Sequence, residues 1–111
     1  MLTGANITIN VEDLDRSIHF YTSLGFEVDQ RWGNHFAQLS GAGISIGLHP
    51  TDASRMKGDS GNVSIGLTVT DFATMHQQLR ELNIEVAERS EEGGRFLHFR
   101  DPDGNSLYVI D

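Results

Sequence analysis

The sequence predicts an α+β protein written as two copies of a βαβββ module, and three observations carry that expectation. A shift of 58 positions superposes Ile7 on Ile65, Val11 on Val69, Asp13 on Asp71, Leu24 on Leu82, Glu27 on Glu85, Val28 on Val86 and Arg31 on Arg89 without a gap. Self-similarity at a fixed offset means one structural unit used twice. Each copy holds one segment with apolar residues at helical spacing, set among segments that alternate with period two. The chain closes on two alternating runs, Phe96 to Arg100 and Ser106 to Ile110, flanking Asp101-Pro102-Asp103-Gly104-Asn105. There the proline presets the turn and the glycine can take positive φ, which is the signature of a hairpin.

The first module begins with Asn6 to Val11, where polar and β-branched residues alternate as in a half-buried strand. Asp13 can cap the helix that follows, Leu14, Ile18, Tyr21 and Leu24 form its apolar stripe, and Gly25 is a natural stop. Strands at Phe26 to Arg31, Phe36 to Leu39 and Ile44 to His49 complete it. The polar, aperiodic run from Pro50 to Asn62 reads as a linker. In the second module a strand at Val63 to Thr70 leads into a helix from Asp71 to Leu82, with Phe72, Met75, Leu79 and Leu82 on one side. Strands near Ile84 to Arg89, Arg95 to Arg100 and Ser106 to Ile110 follow. The organisation is one domain over residues 1–111, with module one at about 4–49, the linker at 50–62 and module two at 63–111.

Composition excludes several function classes. The chain has 111 residues, 8 basic against 16 acidic, for a net charge of −8. Nucleic acid and anionic membrane both need a basic footprint, so neither is expected as a partner. Such a charge suits a cationic ligand, or serves solubility alone. No cysteine is present, which removes disulfides, thiolate metal sites and thiol nucleophiles. The start of the sequence lacks a basic region followed by an apolar segment, and no run is long enough to span a bilayer, so a cytoplasmic location is expected. Neither a Gly-rich phosphate loop nor a Gly-x-Ser-x-Gly elbow occurs.

The twin βαβββ order, the Val11-Glu-Asp-Leu-Asp-Arg-Ser-Ile-His-Phe-Tyr21 stretch, the Leu24-Gly-Phe26 exit and the DPDGN hairpin resemble the vicinal oxygen chelate superfamily. That group holds glyoxalases, bleomycin-resistance proteins and extradiol dioxygenases. The resemblance implies an open, U-shaped mixed sheet with helices outside and a pocket inside. It also implies metal-ligand places on the first and last strand of each module, which in this chain are Asn6, Gly47, Ser64 and Tyr108, with His49 in the place of Gly47 if that strand is registered two residues on, which would supply one ligand at most. Glycine offers no side chain, and amide, hydroxyl and protonated phenol oxygens are weak donors beside imidazole or carboxylate. No metal or other cofactor is therefore expected at that place.

Strand alternation selects the side chains that face away from the helices. If Ile7, Ile9 and Val11 pack under the first helix, then Asn6, Thr8 and Asn10 face the other way. Ser64, Gly66 and Thr68 match them in the second copy, as Ser45, Gly47 and His49 do on a later strand. Phe36 and Gln38 pair in the repeat with Phe96 and His98, and Tyr108 joins that face. The candidate ligand-binding residues are Asn6, Trp32, Phe36, Gln38, His49, Ser64, His98 and Tyr108. His49 can bind ligand or move a proton, or simply end a strand at the rim. Trp32 and Phe36 can stack on a planar ligand or cover a sheet edge. His19 and His76 are expected at the surface of their helices, and Glu12, Asp101 and Asp103 as turn and capping carboxylates.

Two functions follow. One is a small-molecule-binding protein of the bleomycin-resistance type without the family's metal, taking a cationic or aromatic organic ligand. The other is a glyoxalase- or dioxygenase-type enzyme that recruits metal through His49, His98 or a partner subunit. A homodimer is expected, because edge strands of an open sheet need cover and twofold pairing is the commonest way to give it.

Overall fold

The computed structural model describes residues 1, 3, 6–52, 63–91 and 94–111. Most of the proposed linker, residues 53–62, lies outside them. The chain divides into two compact units, Met1–Lys57 and Gly58–Asp111. In the first, the order is β1 (Ile7–Val11), α1 (Leu14–Ser23), β2 (Glu27–Trp32), β3 (Phe36–Gly41) and β4 (Ile44–Pro50). The second repeats it as β5 (Ser64–Thr68), α2 (Phe72–Glu81), β6 (Ala87–Glu91), β7 (Gly94–Arg100) and β8 (Ser106–Ile110). Each unit forms a four-stranded mixed sheet, ordered β1-β4-β3-β2 and β5-β8-β7-β6, open at both edges. The α+β class and the βαβββ order are as the sequence predicts.

Both helices start and stop by the same device. The side chain of Asp13 accepts a hydrogen bond from Arg16 N at 3.1 Å, and that of Asp71 accepts one from Thr74 N at 3.0 Å. Each satisfies a backbone N–H that the first helical turn leaves open. At the far ends, Phe26 N donates to Tyr21 O and Gly25 N to Thr22 O, while Ile84 N donates to Leu79 O and Asn83 N to Arg80 O. This is a Schellman closure in both copies, with Gly25 at φ +112° and Asn83 at φ +59° in the left-handed position. It corrects one boundary: β6 begins at Ala87 rather than near Ile84, because residues 82–84 are spent ending the helix.

Period-two alternation sorts the sheets into two faces. Ala37, Leu39, Ile46 and Leu48 are fully buried under α1, together with Tyr21 and Leu14. Leu97, Leu107 and Val109 are likewise fully buried in the second unit, where Phe72 and Leu79 of α2 are buried too. Each such Leu, Ile, Val or Phe side chain contributes about 1.5–3 kcal/mol relative to leaving it in water. The expected packing of Ile7 beneath the helix does not hold. At the first position of an edge strand it is 44 % exposed.

Two hairpin turns hold the long strands in register. β3 and β4 are joined by Ala42 at φ +53° and Gly43 at φ +87°, a two-residue turn with both centres left-handed. Between β7 and β8, the buried carboxylate of Asp101 accepts from Asp103 N, Asn105 N and Asn105 Nδ2 at 2.8–2.9 Å. Its assignment as a turn carboxylate is correct.

Candidate functional site

The faces turned away from the helices carry the side chains that alternation selected. In the first unit the ladder aligns Thr8 with Gly47 and Gly47 with Gln38. A second row aligns Asn10 with His49, and Phe36 with Trp32. In the second unit Gly66 aligns with Tyr108 and Tyr108 with His98. The two units thus share one layout with reciprocal filling. Thr8 on β1 stands beside glycine on β4, whereas Tyr108 on β8 stands beside glycine on β5.

In both units an aromatic ring uses the space a glycine leaves. A Cβ added to Gly47 would lie 2.5 Å from Phe36 Cζ and 3.0 Å from Thr8 Oγ1. At Gly66 the added atom would lie 2.4 Å from both Cζ and Oη of Tyr108. The tyrosine therefore lies across the sheet toward β5 rather than standing upright on β8. Phe96, His98 and Tyr108 form one aromatic group, with Phe96 stacked on His98 at 5.9 Å and Tyr108 6.4 Å from the imidazole. His98 Nε2 is buried and has no hydrogen-bond partner among the described residues. An orphaned polar atom of this kind costs about 1–3 kcal/mol, and natural structures carry few of them.

Other predicted residues occupy more open ground. Trp32 is 46 % exposed and its ring lies 5.7 Å from that of Phe36. His49 is exposed, its Nδ1 3.1 Å from Thr51 Oγ1, which in turn lies 3.1 Å from Asn10 Oδ1. Ser64 Oγ is 3.1 Å from Ser106 Oγ. Asn6 is exposed just before β1. His76 departs from expectation. Its side chain is only 17 % exposed and faces Glu88 at 3.7 Å. It sits four residues after Phe72 and three before Leu79, so it belongs to the stripe of α2 that meets the sheet. The signal was in the helical spacing.

A cavity of about 470 Å³ lies on that helix side of the second unit, lined by Phe72, Ala73, His76, Gln77, Arg80, Glu88 and Arg95. Arg95 spans it, held by Asp111 at 2.6 Å and lying 4.6 Å over the Phe72 ring. It is separate from the face holding Tyr108. Asp71 is remote from that face as well; hydrogen-bonded by the backbone and side chain of Thr74, it titrates below its ordinary value of 3.8.

A sequence model described as the Glyoxalase/Bleomycin resistance protein/Dioxygenase superfamily matches residues 5–109. The chain belongs to that superfamily. Among its relatives is an uncharacterised protein of Mycolicibacterium smegmatis, 34 % identical over an alignment of 70 positions that covers 59 % of this chain and 53 % of the relative. The match thus spans about half that protein's length. The fosfomycin resistance protein FosX of Listeria monocytogenes superposes with a TM-score of 0.83 at 20 % identity, covering 99 % of this chain and 93 % of its own. A bleomycin-binding protein crystallised with bleomycin superposes at 0.71 and 21 % identity, covering 99 % and 98 %. These likenesses confirm the vicinal oxygen chelate fold.

At the four places that the resemblance assigns to metal donors, Asn6 and Gly47 in the first unit and Ser64 and Tyr108 in the second, the residues present carry neither imidazole nor carboxylate. Phe36 fills the space over Gly47, Ser64 is engaged with Ser106, and the phenol of Tyr108 is laid over Gly66. Among the described residues, no three His, Asp or Glu side chains converge to hold an ion. No helix among them is long and apolar enough to cross a membrane.

Proposed function

We propose that this superfamily member binds a small organic molecule on the helix-free faces of its sheets and holds no metal at the superfamily's metal position. The carrying observation is the substitution of rings for ligands: Phe36 over Gly47 and Tyr108 over Gly66. What remains on those faces is aromatic surface with a few placed polar atoms, the composition of ordinary small-molecule pockets. Asn6, Trp32, Phe36, Gln38, His49, Ser64, His98 and Tyr108 supply it. Binding then proceeds by stacking and neutral hydrogen bonds; the excess of acidic side chains favours a cationic ligand and the Trp32 and Phe36 rings an aromatic one. The relative crystallised with bleomycin is consistent with this use of the fold. We propose further that the protein works as a homodimer, which light scattering at micromolar concentration tests; a monomer would overturn it.

Metal analysis of untagged protein, combined with Tyr108→Phe, tests the central reading. The expected result is no stoichiometric metal in either form. Stoichiometric zinc, iron, nickel or manganese, lost on changing Tyr108, Asn6 or Ser64, would restore a metal-dependent enzyme. A ligand that hydrogen-bonds to the phenol should weaken by about 0.5–1.5 kcal/mol in the Phe variant.

A further inference from the structure

We propose that His49 accepts a hydrogen bond, through Nε2, from a planar two-ring aromatic ligand that carries an O–H or N–H and stacks on Trp32. This rests on reading the helix-free faces as ligand surface, and it commits one of them to a ligand class.

The polarity of the imidazole is set by its neighbours. Thr51 Oγ1 lies 3.1 Å from Asn10 Oδ1 and 3.1 Å from His49 Nδ1. Its hydroxyl has a single proton, and the Asn10 oxygen can only accept. Thr51 therefore donates to Asn10 and receives the Nδ1–H of His49 on a lone pair. Its approach to the His49 carbonyl, at 3.3 Å, is longer. The relay is held in place because Thr51 N donates to Val11 O at 2.7 Å, extending the parallel pairing of β1 with β4. In a neutral imidazole with its proton on Nδ1, Nε2 is left as an acceptor, and no donor among the described residues reaches it.

The surroundings define the ligand. Asn10 aligns with His49, and continuing the Ala37–Leu48 pairing by one residue sets Phe36 opposite His49. Phe36 aligns with Trp32. Imidazole, phenyl and indole thus stand on successive strands β4, β3 and β2. Adjacent strands are about 4.8 Å apart, so a ligand reaching from Nε2 to the indole must span about 10 Å, the scale of two fused rings. Trp32, at 46 % exposure, has a ring available for stacking. An acceptor beside aromatic surface selects a flat molecule with a donor at its edge.

The chain has one tryptophan, so its indole N–H gives a single reporter signal. We would titrate 2-naphthol, and 2-methoxynaphthalene as the analogue without a donor, by calorimetry and heteronuclear NMR. The expected result is saturable binding of naphthol that shifts the Trp32 indole signal, about 3- to 10-fold tighter than the methyl ether. His49→Phe should abolish that preference while retaining binding. Thr51→Val should reduce it and release the imidazole from the Nδ1–H tautomer, as read from its ¹⁵N shifts; this variant also carries the test should His49→Phe fail to fold. Equal affinity for the two probes, an unmoved indole signal, or an Nε2–H tautomer in the wild type would overturn the proposal. Naphthol binding that leaves Trp32 unmoved would overturn it while sparing the broader reading, whereas stoichiometric metal at Tyr108 would overturn the broader reading alone.

Discussion

Tyr108 lies so closely across Gly66 that no side chain could occupy the glycine with the ring where it is: an added Cβ would stand 2.4 Å from both Cζ and Oη. The collision is with the far end of a side chain, so it can be relieved by rotation. Gly66→Ala should leave the fold intact, cost about 1–3 kcal/mol, and expel the ring from its resting place. In a double-mutant cycle with Tyr108→Ala, measured by urea unfolding, the pair should cost at least about 1 kcal/mol less than the sum. Additivity would mean the ring does not rest there.

Replacement of Asp101 should be among the more damaging single changes outside the apolar core. Its buried carboxylate accepts three hydrogen bonds that close the β7–β8 turn. Asp101→Ala leaves those donors without their acceptor and should lower stability by about 3 kcal/mol. Asp101→Asn, which keeps one acceptor oxygen, should cost less. Chemical denaturation ranks the two.

The turn between β3 and β4 leaves room for improvement. Ala42 holds φ +53°, a conformation that costs an L-residue with a Cβ about 1–2 kcal/mol. Asparagine tolerates it and is preferred at the first centre of such turns. Ala42→Asn should raise stability by about 0.5–1 kcal/mol, visible as an increased melting temperature.

A pH dependence follows from Asp71. Its carboxylate is held below the ordinary 3.8 by hydrogen bonds from Thr74. A folded value lower than the unfolded one means the cap's charge-linked contribution is fully present above 3.8 and is lost as pH falls through the folded value. Asp71→Asn keeps a capping oxygen without the titration. The stability difference between wild type and Asp71→Asn should be flat at neutral pH and shrink only as pH falls below 3.8.

Strand faces were legible in the sequence because the side-chain period is fixed at two and the repeat supplies each strand twice. Ala37 and Leu39 inside with Phe36 and Gln38 outside is that rule at work, as is Tyr108 between buried Leu107 and Val109. The terminal hairpin needed only its proline and glycine. The reclining pose of Tyr108 was not legible from its own strand, since it depends on the residue beside it in a parallel neighbour 42 positions away. The start of β6 was misplaced because Asn83 had taken the left-handed role that Gly25 plays in the first copy. The Thr51 relay was hidden for another reason: it joins the end of β4 to Asn10, a contact no local pattern encodes.

The reciprocal layout of the two units bears on how such a chain can change over generations. Thr8 beside Gly47 and Gly66 beside Tyr108 are two fillings of one pair of places, each having a side chain on one strand and none on its neighbour. Were a single ancestral module doubled, a step with both places full would have to swing the ring out of its resting place at a cost. A step through the doubly empty state, in which the face is a bare trough, meets no such clash. The path by which two identical halves become different would then run through a more open pocket, and each half would be free to close again around a different guest.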